Sequence, residues 1–528
     1  MTLAFGTRQP CDDLRARTRE QRSPCPGRDK PWVLATAILG SSLVFIEGSV
    51  VNLALPAMQR EFGATSAGVQ WVMTGYLLVL GAFMLIGGSL GDRYGLRRVF
   101  IAGTSLFGLA AAACALSPSL PLLVAARLAQ GLGGALLVPT SLALIGSHFD
   151  EEERGRAIGT WAGASALTTA LGPVIGGGIV DGAGWHAVFL LVVPFSALTA
   201  AIAWWRVPPD ARPSDGRLDT PGALLVACAL GLLIYGLVSS RPLYWRLVLV
   251  GLSVAAGWGF VWRERTFDAP MLPLELFRSR RFSGANLMTV LLYFALSGAL
   301  YFLPFNLIQV QGYSALQAGA AFLPFTLILG FGSTWAGDLI RRLDPRRLLT
   351  FGPLVAAAGF VALAIPGTNA SYATGFLPGI AIIGVGMTLS VAPLTTVVMD
   401  AVGERQAGVA SGVNNTAARV AGVLAVAALT AVAVGQFSDE LARRLRDQGV
   451  PDRLIEELAM NASQLAELQP PAGIAESSAD AIRDAIAVAY VAAFRRLVIV
   501  CGLLSAVSGL VAWLTLSGAA GTPRRPPA

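Results

Sequence analysis

A single carboxylate, Glu47, lies deep in a long apolar stretch from Trp32 to Pro56 that reads WVLATAILGSSLVFIEGSVVNLALP. A hydrophobic run of this length suits a bilayer-spanning helix. An acid inside one must face protein or water, because a charge at the bilayer centre costs at least about 2.5 kcal/mol. Such a residue is by default a proton or cation site. Arg127 lies in a second apolar run of opposite direction. Glu47 is about 15 residues into its run, roughly 22 Å from one end, and Arg127 about six residues from the other, roughly 21 Å up in a core about 30 Å thick. The two charges therefore share one depth. Desolvation and a nearby arginine pull the acid's proton affinity in opposite directions, so a cavity alternating between faces could load and unload one proton per cycle. The alternative is a permanent structural ion pair, which also requires a polar interior.

Arg419, in GVNNTAARVAGVLAVAA, is a second mid-run cation, with Asn414 and Asn415 about a turn earlier. It must face protein or water, as a substrate or gating group or as a structural contact. Trp71, Tyr76, Trp161, Tyr293, Phe294, Tyr301, Phe302 and Phe305 suit a cavity for flat lipophilic molecules, and suit interfacial anchoring and helix packing equally well. The candidate cavity residues are Asn52, Tyr76, Gln130, Trp161, Tyr301, Phe305, Asn415 and Arg419. Five cysteines show no metal-ligand spacing, and the two histidines, His148 and His186, are far apart, so neither zinc, haem nor a Ser/His/Asp hydrolase is expected. The glycine-rich TTALGPVIGGG, Thr168 to Gly178, lacks the Lys-Ser/Thr ending of a phosphate loop and lies within an apolar span. No metal, no cofactor and no enzymatic activity is expected.

The elements that position these residues are long helices. Of 528 residues, 54% are hydrophobic and 13% charged, against about 25% charged in soluble domains. Mean hydropathy is +0.63. The chain is therefore all-α, polytopic and embedded in lipid. Fourteen apolar runs fall near 32–56, 69–91, 99–117, 121–145, 157–179, 187–205, 221–239, 243–262, 284–308, 317–340, 348–366, 373–397, 407–433 and 493–516. The net charge of +7 comes from basic residues in short loops, which is a topology signal and calls for no nucleic-acid partner. Arginines follow runs 2, 4, 6, 8 and 10, while the loops after runs 3, 9 and 11 carry no lysine or arginine. Both termini are thus expected in the cytoplasm of a multi-pass cytoplasmic-membrane protein. Residues 1–31, basic and without an apolar core, read as a disordered cytoplasmic tail rather than a signal peptide. The polar stretch 435–485 reads as a solvated outward insertion, with a small amphipathic cap as the alternative.

The segment GGSLGDRYGLRR, Gly87 to Arg98, ends the second run at the inner face. Gly95 permits a sharp turn, and Asp92 can accept bonds from the amino end of a neighbouring helix to lock the inner side closed. A weaker analogue, GDLIRRLDPRR, recurs at Gly337 to Arg347, as expected of two related halves.

Together these stretches resemble the major facilitator superfamily, and within it the fourteen-helix drug:proton antiporter branch. The first-run pattern Asp-x-Thr-x-Val-Asn-x-Ala-Leu-Pro appears as Glu47-Gly48-Ser49-Val50-Val51-Asn52-Leu53-Ala54-Leu55-Pro56. Gly88, Asp92, Arg93, Gly95, Arg97 and Arg98 carry the loop signature; Arg127, Gln130, Gly131 and Gly133 match Arg-x-x-Gln-Gly-x-Gly; and Gly172, Pro173, Gly176 and Gly177 match the antiporter signature. The departures are Glu47 for aspartate, Ser49 for threonine, Trp185-His186-Ala187-Val188-Phe189 for Trp-Arg-Trp-x-Phe, and Val192 for a frequent asparagine.

The resemblance implies proton coupling through Glu47 and Arg127. It implies gating by Asp92, Arg93, Gly95, Arg97 and Arg98, and packing of the Gly172-Pro173-Gly176-Gly177 helix against the opposite half. It implies six-helix bundles at 32–205 and 284–516, the latter including an extracytoplasmic loop at 435–485, with two additional helices at 206–283 and a cytoplasmic tail at 517–528. The expected function is proton-driven export of small amphipathic organic compounds such as antibiotics. In a cell with two membranes, a periplasmic adaptor and an outer-membrane channel are conceivable partners. A transporter of one specific metabolite and a non-transporting membrane sensor or scaffold are the alternatives.

Overall fold

The structure, a computed structural model, describes residues 28–64, 66–209, 219–238, 242–267, 270–340, 342–402, 406–461, 465, 468–470 and 476–516. The basic leader through residue 27 and the end from 517 lie outside this set, as do Arg241 and Arg341. The described chain is helical: α1 Lys30–Glu61, α2 Ser66–Tyr94, α3 Leu96–Ala115, α4 Leu120–His148, α5 Glu151–Ala183, α6 Trp185–Arg206, α7 Thr220–Val238, α8 Leu243–Thr266, α9 Arg280–Phe305, α10 Ala315–Ala320, α11 Leu323–Leu339, α12 Pro345–Ala362, α13 Leu377–Asp400, α14 Ala407–Asp447, α15 Asp452–Met460 and α16 Glu476–Thr515. Turn chemistry sets several boundaries. Gly95, at φ +99°, makes the break between α2 and α3, and Gly184, at φ +78°, the break between α5 and α6. Ser314 and Gln317 form a reciprocal cap on α10.

Among the described residues, twelve helices are long and apolar enough to cross a bilayer, which makes this a multi-pass integral membrane protein. Its outer surface agrees: α8 alone exposes Leu243, Trp245, Leu247, Leu252, Val254, Trp258 and Trp262. That face would be insoluble in water and is at home among acyl chains. The expected fourteen runs all lie in helices, but α5 and α12 are not among the twelve. α12 is a short 18-residue helix with two arginines, and α5, at 33 residues, is long enough to span. The run at 317–340 is also not one helix, since α10 and α11 are separated by a turn at Ala321 and Phe322.

Residues 435–485 correct the expectation of a solvated loop. α14 continues to Asp447 as a single 41-residue helix, and α16 begins at Glu476 rather than near 493. At about 1.5 Å per residue each is roughly 60 Å long, about twice the hydrocarbon thickness. Beyond the apolar span, Leu441 and Leu445 of α14 pack with Ile455 and Leu458 of α15 and Ile482 and Ile486 of α16 in one buried cluster. The heptad-like apolar positions of DRLIEELAM thus find a core.

Helix packing is ordered by glycine. α1 contacts α4, α5 and α6; α4 contacts α2 and α3; α9, α12, α13, α14 and α16 pack among themselves. Two main seams join these groups, α2 with α14 and α5 with α11, flanked by contacts of α4 with α14 and of α5 with α13. On the second seam a Cβ at Gly155, Gly159 or Gly163 would run into the carbonyls of Gly337, Ser333 and Gly330 respectively. Three glycines at i, i+4 and i+8 put one bare stripe against α11 and let the backbones touch. α7 and α8 pair with each other, and α7 touches both α2 and α14. In α4, Pro139 cannot donate to the Ala135 carbonyl, and Gly87 of α2 is seated against that same oxygen. Replacing Gly159 with valine forces a side chain into the Ser333 backbone, and overpacking of this kind costs about 1–3 kcal/mol. Gly159→Val is expected to lower the thermal midpoint of the detergent-solubilised protein, read by size-exclusion chromatography after heating; an unchanged midpoint would mean that the seam is not tightly packed.

Candidate functional site

The site is built where α1, α2 and α4 cross. Glu47 and Arg127 are both fully buried, with Arg127 Nη1 donating to Glu47 Oε1 at 3.1 Å. Arg127 is held from every side. Nε donates to the Val72 carbonyl at 2.9 Å, Nη1 also donates to Gln130 Oε1 at 2.7 Å, and Nη2 reaches Met73 Sδ at 3.7 Å. The Tyr76 ring lies 4.0 Å from the guanidinium carbon and the Phe189 ring 5.7 Å. Tyr76 is itself fixed by donating its hydroxyl to the Val44 carbonyl at 3.2 Å. Cys114 Sγ donates weakly to Gln130 Oε1 at 3.7 Å. Against this satisfied cation, Glu47 Oε2 and Gln130 Nε2 are buried without a hydrogen-bond partner among the described residues. A carboxylate with one oxygen paired and the other bare is costly while ionised, and the bare oxygen is where a proton would attach.

Around this centre the candidate cavity residues divide. Tyr76 and Gln130 join the ion pair directly. Trp161 is buried between α5 and α1 and donates Nε1 to Ser41 Oγ at 2.9 Å, so it serves packing at this position. Asn415 turns back on α14 and donates to the Ser411 carbonyl at 2.9 Å, whereas its neighbour Asn414 accepts from Thr289 Oγ1 of α9 at 2.7 Å. Tyr301 is exposed and touches Phe302 and Phe305, at a distance from the ion pair along α9. Arg419 is half-buried on α14 and lies within electrostatic range of Tyr76 and Tyr293. Of Asn52, Pro173 and Gly177 only the helical backbone is described.

One end of the bundle is latched. Asp92, at the carboxyl end of α2, accepts from Gly408 N at 2.7 Å and Val409 N at 2.8 Å. These are amides of the first turn of α14, which have no intrahelical partner and carry the positive end of the helix dipole. The approach requires glycine on both sides, since a Cβ at Gly88 would overlap the Gly408 carbonyl and one at Gly408 would overlap Gly88. Arg97 donates to the carbonyls of Ala203 and Trp204, tying the loop to α6, and Arg93 Nη2 donates to the Pro270 carbonyl at 3.5 Å. Arg98 is exposed. At the same end Arg154 of α5 pairs with Asp400 of α13 at 2.6 Å, and Lys30 pairs with Asp150 and Glu153. Toward the far end the α5 seam runs out: no described atom lies within 4 Å of where a Cβ at Gly178 or Gly182 would sit.

Sequence reasoning missed two features. The stripe Gly155, Gly159 and Gly163 meets α11 of the other group, while Gly176 packs against Val50 of α1. Its spacing was visible, but it straddles the polar start of α5. Glu264 was also missed because it lies just past the end assigned to the eighth run. It is buried and accepts from Leu272 N at 3.0 Å, next to the Asp219–Arg263 pair at 3.1 Å.

A family model described as the Major Facilitator Superfamily matches residues 37–426. The tetracenomycin C resistance and export protein of Streptomyces glaucescens is 31% identical over 504 residues, covering 93% of each chain. The multidrug resistance protein Stp of Mycobacterium tuberculosis is 32% identical over 419 residues, covering 78% of each. The puromycin resistance protein of Streptomyces alboniger is 34% identical over 434 residues, 80% of this chain and 86% of that one. Among solved structures, a proton:xylose symporter superposes with a TM-score of 0.60 at 14% identity over 92% of this chain and 96% of its own, a likeness of fold alone. Asp92→Asn should keep the side chain's shape while weakening two charge-assisted bonds of about 1.5–3 kcal/mol each. In a background without native cysteines, a cysteine at buried position 411 is expected to become markedly more reactive to a soluble maleimide in Asp92→Asn; unchanged labelling would mean that the latch does not hold this end shut.

Proposed function

Because the chain belongs to the major facilitator superfamily, we propose that it is a proton-coupled antiporter exporting amphipathic or lipophilic organic compounds, drugs and antibiotics among them, across the cytoplasmic membrane. At the coarser level it is a secondary transporter of small organic molecules, related to multidrug-resistance proteins, and not an enzyme. The observation that carries the finer reading is the fully buried Glu47–Arg127 pair with a bare carboxylate oxygen. A latched Asp92 end and an α5 seam that opens at the other end fit an outward-facing state, with the Asp92 end in the cytoplasm and both termini there. We read α5 and α12 as spans too, giving fourteen, with α1–α6 as one bundle, α9–α14 and α16 as the other, and α7–α8 between them. α5 is long enough at 33 residues and lies between α1 and α11, where protein rather than lipid receives its polar face.

In this cycle a proton from outside attaches to Glu47, and Arg127 keeps its bonds to Val72 and Gln130. Protonation breaks the ion pair and leaves Arg127 as an uncompensated charge in the closed interior, which destabilises this packing and favours rotation to the inward-facing state. Release of the proton inward restores the pair and admits substrate between the two bundles. The Asp92 latch must open and close once per turn, and its bonds are few enough to break at about 3–6 kcal/mol in total. Puromycin and tetracenomycin C are the first probes to try, since relatives carry their names. In proteoliposomes with an imposed pH gradient, Glu47→Gln should lower uphill accumulation of a transported probe by at least about tenfold, a loss of about 1.4 kcal/mol or more in coupling. Downhill exchange should persist, and uphill export unchanged in Glu47→Gln would remove Glu47 from the coupling step.

A further inference from the structure

Arg127 is saturated with partners, but Arg419 is not. Among the described residues no carboxylate lies within ion-pair distance of Arg419, and its electrostatic neighbours are two neutral phenols, Tyr76 and Tyr293. Its depth follows from register. On the α2–α14 seam Gly88 meets Gly408 and Leu85 meets Gly412, so the helices run antiparallel and Arg419 falls level with Tyr76. On the other side Thr289 bonds Asn414, and Ser297 lies against Gly422, which sets Tyr293 at the same level on α9. Arg419 is therefore about 16 Å along α14 from the latch, near the bilayer midplane. It is opposite the Tyr76 face that carries the Glu47–Arg127 pair on the neighbouring helices. A half-buried guanidinium at that depth, without a protein counter-charge, is expensive unless an anion visits it.

Resting on the transport reading above, we propose that Arg419 is the recognition group for an acidic function, a carboxylate or ionised phenol, on an aromatic substrate, with Tyr76 and Tyr293 flanking the ring system. A guanidinium offers paired donors to a carboxylate in a fixed plane, and aromatic walls give the attached rings a stacking surface. The charges of the centre support this sign of ligand. Glu47, Arg127 and Arg419 sum to +1, so a monoanion brings the occupied and deprotonated site to neutrality, whereas a cation would raise it to +2. Neutral occupancy is the state best suited to crossing the low-dielectric middle of the membrane.

The test uses the full-length protein in detergent micelles at neutral pH, with 9-anthracenecarboxylate and its methyl ester as fluorescent probes of one shape and different charge. Wild type should bind the acid at least about tenfold more tightly than the ester. Arg419→Gln should abolish that preference with the ester affinity kept, and Arg419→Lys should retain part of it. Equal affinity of the two probes in wild type overturns the proposal without use of any variant. So does a loss in Arg419→Gln that is the same for acid and ester, which marks a purely structural arginine. No proton gradient is involved, so an unchanged Glu47→Gln phenotype in the transport assay and a failed acid preference here are separate results.

Discussion

Enclosing a complete ion pair among helices constrains everything around it. Glu47 and Arg127 can both be buried because Val72, Gln130 and Met73 Sδ accept from the other guanidinium nitrogens and edges, and the Tyr76 and Phe189 rings lie beside it. The acceptors come from three helices, so α1, α2 and α4 cannot slide past one another without stranding a charge. The cost of a stranded charge, several kcal/mol, makes these three helices one rigid unit. Within that unit the arginine is over-determined, whereas one oxygen of the acid is without a partner among the described residues. Compactness follows from the same demand. Gly131 and Gly133 of α4 let α2 and α3 come close enough to seal the pair from lipid, a Cβ at Gly131 falling 2.6 Å from the Tyr76 carbonyl and one at Gly133 falling 2.7 Å from Phe107 N.

The second group of helices meets this unit through contacts of another kind. A carboxylate on helix-end amides, an exposed-side arginine on Asp400 and bare glycine backbones are shallow, separable interactions at one end of each seam. A rigid interior bounded by breakable end contacts is what a two-state rocking element requires, because strain passes between groups instead of being absorbed within one. α7 and α8 stand at the edge of this arrangement. Their charged ends, Asp219, Arg263 and Glu264, fold in toward Leu272, while α8 exposes most of its apolar length.

Depth was legible along the chain and azimuth was not. Glu47 and Arg127 could be matched because rise per residue converts position into height, and the latch was legible because Asp92 ends a helix beside glycines. That Trp161 would turn toward Ser41, or Tyr301 outward, depends on which face of a helix meets which neighbour, and low-contrast apolar sequences carry little of that information. In a membrane helix polarity no longer separates the buried face from the exposed one, since lipid and core are equally apolar. The glycine stripe at 155, 159 and 163 was an azimuthal signal, but it began among the charges of Glu151 to Arg156. The stretch 435–485 misled for the opposite reason: its charges suggested solvent, while the leucines and isoleucines between them, spaced for one face, were enough to close a small core.

The unbroken course of α14 has a mechanical corollary. Its first turn sits on the Asp92 carboxylate and its last turn carries Leu445 into the helical cluster with α15, all within one helix. A rod roughly 60 Å long that pivots by about ten degrees near its foot sweeps its tip sideways by about 10 Å. Release of two hydrogen bonds at one end of α14 would thus be displayed as a large swing of α15 at the other, a pointer that would report the state of a catch it never touches.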